Sequence, residues 1–195
     1  MLEELLGIDE KYFQELWMID TMLIWKKKRT IIKYRNMLTK NLSECSRKGG
    51  RIYVVASGTS YHAAMTGSYF FNNLSDVSII TANPGSFRSG FMNSLNDNDI
   101  VIGVSQSGET KDLVDIFCEI QSRNSKITLV TIVNNENSTL PQEKSDFYLP
   151  IMCGSEIAVA ATKSFISQIA LFYILAAMIK NSEENALDNI RKIKY

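Results

Sequence analysis

A chain of 195 residues, 45% hydrophobic and 22% charged, has the composition of an ordinary globular protein large enough to build its own core. Its 21 basic residues balance 21 acidic ones, so no global field recruits nucleic acid or an anionic membrane, and any bound anion must be held locally. Three scattered cysteines (Cys45, Cys118, Cys153) and a single histidine, His62, argue against a disulfide frame and a histidine-built metal centre; a cytoplasmic chain is expected. The opening MLEELLGIDEKYF lacks a secretory pattern, and no run of about 18 apolar residues suits a membrane span.

Residues 8–47 carry helical spacing, with Phe13, Leu16, Trp17 and Ile24 on one side. The basic cluster Lys26–Arg29 reads as a solvated helix face, because acidic residues are spread through the same region. SRKGG at 46–50 stops the helix with glycines. Strands and helices then alternate. Strands are expected at 51–57, 77–83, 99–105, 126–134 and 146–151. Helices are expected at 60–74, 109–123 and 162–180, with a short helix or loop at 86–95 and an amphipathic helix in the tail.

This pattern predicts an α/β fold of three layers, with a five-stranded parallel sheet in the order 2-1-3-4-5 covered by helices on both faces. The expected organisation is a helical segment at 1–48, the α/β domain at 49–181, and a C-terminal helix or linker start at 182–195. The helix at 162–180 is apolar over most of its surface. It is either deeply buried or half of an oligomer interface, and the expectation is a homodimer through it.

In such a sheet, ligands bind beyond the carboxyl ends of the strands where the strand order reverses, here between strands 1 and 3. Strand 1 ends in Ser57-Gly58-Thr59-Ser60, and strand 3 in Ser105-Gln106-Ser107-Gly108-Glu109-Thr110. Each loop leads into a helix whose first N–H groups and positive dipole end favour an anion. Hydroxyls can donate to phosphate oxygens or accept from sugar hydroxyls. Neither loop contains Lys or Arg, which suits one phosphate on a small polar molecule, and no P-loop or dinucleotide fingerprint is present. The alternative is that these residues merely cap helices and form turns. A third segment, MCGSEIAVAATKSF at 152–165, follows strand 5; its small residues can lie close to a ligand, and Thr162 can cap the next helix. Its Glu156, like Glu109, is either an acid–base candidate or an ordinary charge in a first helical turn. His62, near the start of the helix after the first loop, is expected to be a packed or surface residue.

SGTSYH, SQSGET and GSEIAVAATKSF, in this order and at these separations, closely resemble the sugar isomerase (SIS) domain family. The likeness is greatest to the first SIS domain of the two-domain aminotransferases that make glucosamine 6-phosphate, with phosphosugar isomerases and fructosamine-phosphate deglycases alongside. It covers about residues 20–180. The resemblance implies a flavodoxin-like domain that binds a sugar phosphate and needs no cofactor. Ser105, Gln106, Ser107 and Thr110 would grip the phosphate. Ser57, Gly58, Thr59 and Ser60 would help hold phosphate and sugar, and Val159 would line the sugar. Two positions depart from the family's habit: Ser57 stands where cysteine is usual, and Ser86 where glutamate often precedes Phe87-Arg88. The expectation is half of an aldose–ketose isomerase or deglycase, with no glutaminase domain in this chain and glutamine therefore not expected as its ammonia source; the resemblance implies that the acid–base residues belong to a second SIS domain outside this chain. The other expectation is a non-catalytic phosphosugar sensor. No catalytic residue is assigned.

Overall fold

Five apolar runs become five parallel strands because each is flanked by helices that cover both its faces. The computed structural model describes residues 29–123, 126–154 and 161–180. In chain order these form α1 (Arg29–Arg47), β1 (Ile52–Ala56), α2 (Gly58–Leu74), β2 (Ile80–Ala82), α3 (Pro84–Gly90), β3 (Ile100–Ser105), α4 (Lys111–Ser122), β4 (Thr128–Val133), β5 (Phe147–Pro150) and α5 (Lys163–Ile179). The sheet order is β2-β1-β3-β4-β5, and all pairs are parallel, as the sequence predicts.

Alternation along the strands divides the core. Ile52, Val54 and Ala56 of β1 face a layer made by α1, α2 and α5, while Tyr53 and Val55 face α3 and α4. On the first face Leu38 and Leu42 of α1 share one cluster with Phe71 of α2 and Leu171, Phe172 and Leu175 of α5. The described part of the N-terminal segment therefore belongs to the same core as the sheet. Gly49 N–H donates to Ser46 O (3.1 Å) and Gly50 N–H to Cys45 O (2.9 Å), a pair of hydrogen bonds that stops α1 at the predicted place.

Of the seventeen residues of α5, Ser164, Ile166–Phe172 and Ile174–Ala177 are buried inside one chain. That burial accounts for the helix's apolar composition without requiring a partner. The second strand is shorter than expected: Val77 and Ile79 are buried, but the ladder with β1 spans only Ile80 to Ala82. Residues 84–90 are helical, opened by Asn83 and Pro84 in a capped, proline-led first turn. The expected helical stretch at 8–28 and the tail at 182–195 lie outside the described residues. Among the described residues no helix is long and apolar enough to cross a membrane.

Candidate ligand cradle at the sheet's switch point

The register pairs Ala56 with Val104, so Ser57 and Ser105 leave neighbouring strands side by side. This juxtaposition brings the two hydroxyl-rich loops to the point where the strand order reverses. Ser57 is the N-cap of α2, in extended backbone, yet its hydroxyl makes no capping bond; Gly58 follows with φ +57°. Thr110 is the N-cap of α4, and its hydroxyl makes no capping bond either. Asn83 at α3 behaves differently, its Oδ1 accepting from Ser86 N–H at 2.8 Å. The first turns of α2 and α4 thus keep N–H groups that their N-cap side chains do not satisfy. Simple capping does not explain Ser57 and Thr110.

The second loop closes on itself. Ser105 Oγ accepts from Gly108 N–H (2.9 Å) and lies 2.8 Å from Thr110 Oγ1, while Ser107 Oγ accepts from Glu109 N–H (3.2 Å). Gly108 is buried with φ +69°, a backbone that a side chain would strain. Ser107 is exposed and Gln106 and Thr110 are half-buried, so the rim is open to solvent while its base is closed. From behind, the β4–β5 connection fastens the loop: Asn135 N–H donates to Gln106 O (3.2 Å) and Leu140 N–H to Gly108 O (3.1 Å). Glu109 takes part in this fastening, its Oε1 accepting from Thr139 N–H (2.7 Å) and Thr139 Oγ1 (3.1 Å). Its carboxylate holds a neighbouring connection, a task that neither first-turn electrostatics nor proton transfer describes.

The other predicted residues are placed as follows. Thr59 is exposed on the first turn of α2, and Ser60 is buried beneath it, its Oγ accepting from Gln168 Nε2 of α5 at 3.0 Å. His62 is exposed beside the Tyr61 ring, with centroids 5.8 Å apart. Ser86 is exposed on α3. Glu156 and Val159 lie outside the described residues. Thr162, expected as a cap, makes no capping bond with its hydroxyl, and its backbone is already helical.

Three residues that the sequence did not single out bear on the site. Lys111 opens α4 directly after the second loop and is exposed, which puts a cation next to the hydroxyls. Asn134, at the end of β4, accepts from Cys153 N–H (3.0 Å) and donates to Gly154 O (2.7 Å). It clamps the chain leaving β5, where Met152 takes φ 62°. The third is Gln168. Lys111 was legible from its place after the loop; the other two depend on partners distant in the chain.

The shifted ionisable groups lie elsewhere. Burial, with Asp99 adding to it, pushes the Cys45 thiol up to about 11, at the opposite end of β1 from the cradle. Burial raises the Tyr148 phenol, helped by Glu136, whose carboxylate accepts its hydrogen bond at 3.2 Å. Among the described residues no group of three or more His, Cys, Asp or Glu could hold a metal ion.

The family model described as the SIS domain matches residues 46–178. The chain belongs to the SIS domain family. It is 38% identical over 138 residues to the isomerizing glutamine–fructose-6-phosphate aminotransferase of Bacillus thuringiensis subsp. konkukian, covering 71% of this chain and 22% of that protein. With the Aquifex aeolicus protein of the same name it shares 36% over 143 residues, 73% of this chain and 24% of that one. The SIS chain therefore spans less than a quarter of these curated relatives. Among solved structures, the C-terminal domain of glucosamine-fructose-6-phosphate aminotransferase from Francisella tularensis superposes with a TM-score of 0.70 at 28% identity, covering 95% of this chain and 51% of that chain. A Bacteroides fragilis protein shares the fold, with a TM-score of 0.73 at 20% identity over 92% of this chain and 95% of that chain.

Proposed function

We propose that this SIS chain binds a sugar phosphate at the switch point and serves as half of an aldose–ketose isomerase or deglycase acting on metabolites of the fructose 6-phosphate type. The observation that carries the reading is the pair of adjacent helix starts, α2 and α4, whose N-cap hydroxyls make no capping bond to the first-turn N–H groups. One phosphate can take those N–H groups with the two helix dipoles behind them, and Ser107, Thr59 and Gln106 supply donors at the rim. The curated relatives' names include fructose 6-phosphate, which supports the choice of sugar class.

Isomerisation moves a proton between adjacent sugar carbons and needs a base within reach of it. Glu109 is engaged with Thr139, and this favours a second reading in which the chain contributes binding and no proton transfer, as a sensor or as a half-site completed by another domain. The thiols of Cys45 and Cys118 are free, which supports the cytoplasm as its compartment. A homodimer through α5 belongs to the same proposal; light scattering at micromolar concentration tests it.

The deciding experiment is thermal unfolding with fructose 6-phosphate, glucosamine 6-phosphate and inorganic phosphate, beside a Ser107→Ala/Thr110→Ala variant. A ligand at about 100-fold over its Kd stabilises by about 2.7 kcal/mol, a rise of several degrees for a chain of this size. A shift that the variant loses supports the cradle; a cooperative transition unmoved by all three sinks it. Turnover of the sugar phosphates then separates the two readings.

A further inference from the structure

We propose that Gln168 is a positioning residue for the cradle: by donating to Ser60 Oγ it keeps the Ser60 proton available for a ligand oxygen. This rests on the sugar-phosphate reading and names a residue that governs the same site.

Gln168 sits in the middle of α5 and is 1% exposed, with buried Ile169, Leu171 and Phe172 around it in the helix. A primary amide offers two donors and an acceptor with two lone pairs. Here Nε2 reaches Ser60 Oγ at 3.0 Å, and Oε1 is buried with no hydrogen-bond partner among the described residues. A glutamine kept only for packing would be better replaced by an apolar residue of the same volume, because a buried polar atom without a partner destabilises the fold. What this amide does make is one bond, across 108 positions, to a residue in the first turn of α2.

The direction of that bond sets the chemistry. A serine hydroxyl has one proton and two lone pairs. With Nε2–H filling a lone pair, the proton is free to point elsewhere, and Ser60 lies in the first turn of α2, which the Ser57 side chain leaves uncapped. Were the amide turned over, Ser60 would donate to Oε1, and the cradle would lose a donor. That orientation would also leave the amide's N–H groups orphaned, and buried orphan donors are rarer than orphan acceptors. The present orientation is therefore the favoured one, and it presents Ser60 as a donor to an anion.

The test is a double-mutant cycle on fructose 6-phosphate affinity, measured by calorimetry with the 195-residue chain. The variants are Gln168→Met, Ser60→Ala and their combination, with melting temperatures recorded alongside. The expected result is binding weakened about tenfold by Gln168→Met, or about 1.4 kcal/mol, with less than about twofold further loss once Ser60 is alanine. The melting temperature should hold or rise, because Met removes the orphaned oxygen while keeping volume. A residue with a purely structural role would lower stability and affinity together, whatever stands at position 60. Gln168→Ala, which removes the same donor but leaves a cavity, should show the same affinity loss at lower stability and serves if the Met variant does not fold. Unchanged affinity, or an equal loss in the Ser60→Ala background, with the parent chain still binding, overturns the positioning role and leaves the binding reading standing. Failure of the parent chain to bind sinks that reading and this proposal with it.

Discussion

Replacing Gly108 with alanine asks whether the second loop is rigid or merely drawn that way by its neighbours. Gly108 is buried at φ +69°, and a Cβ there would overlap Ser138 Oγ and come within 2.7 Å of Ser138 Cβ and 2.9 Å of Val133 Cγ2. Ser138 cannot swing aside freely, because it is 3% exposed and its Oγ donates to Asn135 O at 2.6 Å. Two costs follow. Left-handed backbone for a residue with a Cβ costs about 1–2 kcal/mol, and overpacking against Ser138 and Val133 costs about 1–3 kcal/mol. Together they amount to about 2–5 kcal/mol, a drop in Tm on the order of 10 °C for a chain of this length. Differential scanning calorimetry of Gly108→Ala gives the total. Adding Ser138→Gly, with that single variant as reference, removes the overlap but not the backbone strain, and should recover about half. Fructose 6-phosphate binding should fall in both alanine variants, since Glu109 and Thr110 follow directly on the strained residue. A Tm within about 2 °C of the parent would refute the reasoning, because the loop would then be free to relax away from the β4–β5 connection.

Three further outcomes are expected. Asn134→Ala removes the clamp on Cys153 and Gly154. It should cost about 1–3 kcal/mol in urea unfolding and speed amide exchange at Cys153; unchanged exchange there would show that the clamp holds nothing. Asp99 is 1% exposed and accepts from Arg51 N–H (2.8 Å), Arg51 Nη2 (2.9 Å) and Asn96 N–H (2.9 Å). Asp99→Ala takes an acceptor from two backbone N–H groups and from an Arg51 side chain that keeps Ser94 and solvent as partners, and should cost about 1–3 kcal/mol, yet folded protein should bind sugar phosphate with parent affinity because the network lies at the far end of the sheet. The Cys45 thiol, raised from 9.0 to about 11, loses its proton more readily in the unfolded chain. Its contribution is thus fully present below pH 9.0 and is lost as pH rises through about 11, and the alkaline fall in stability should be shallower in Cys45→Ala.

The sheet was legible because strands buried on both faces must be apolar throughout, as Ile52–Ala56 and Ile100–Ser105 are. The strand order then located the loops, and the hydroxyls at Ser57 and Thr110 stood out by their excess over what a turn needs. The edge of the sheet was harder. Val77 and Ile79 look like strand residues, but an apolar pair buried beside a ladder has the same composition as one within it. Asn83-Pro84 was a readable helix start at α3 that the search for apolar periodicity passed over, because seven residues hold too few turns to show a period. Composition could not tell whether α5 meets a second chain or its own α1 and α2; both cover an apolar helix equally well. Glu109, Asn134 and Gln168 owe their roles to partners 30, 19 and 108 positions away, and no local pattern announces such pairs.

The fastening of the 105–110 loop on both its sides has a kinetic meaning. Ser105 and Thr110 close it from within, while Asn135, Thr139 and Leu140 hold it from the connection behind. The conformational entropy of those six residues is given up when the chain folds, so a phosphate bound there as proposed has little left to order. Association at this loop is then limited by encounter and by stripping water from the anion, with no slow closure step on the path. A ligand-free and a ligand-bound form should superpose there to within about 1 Å, and a single-exponential binding trace whose rate rises linearly with ligand concentration is the behaviour such a loop dictates.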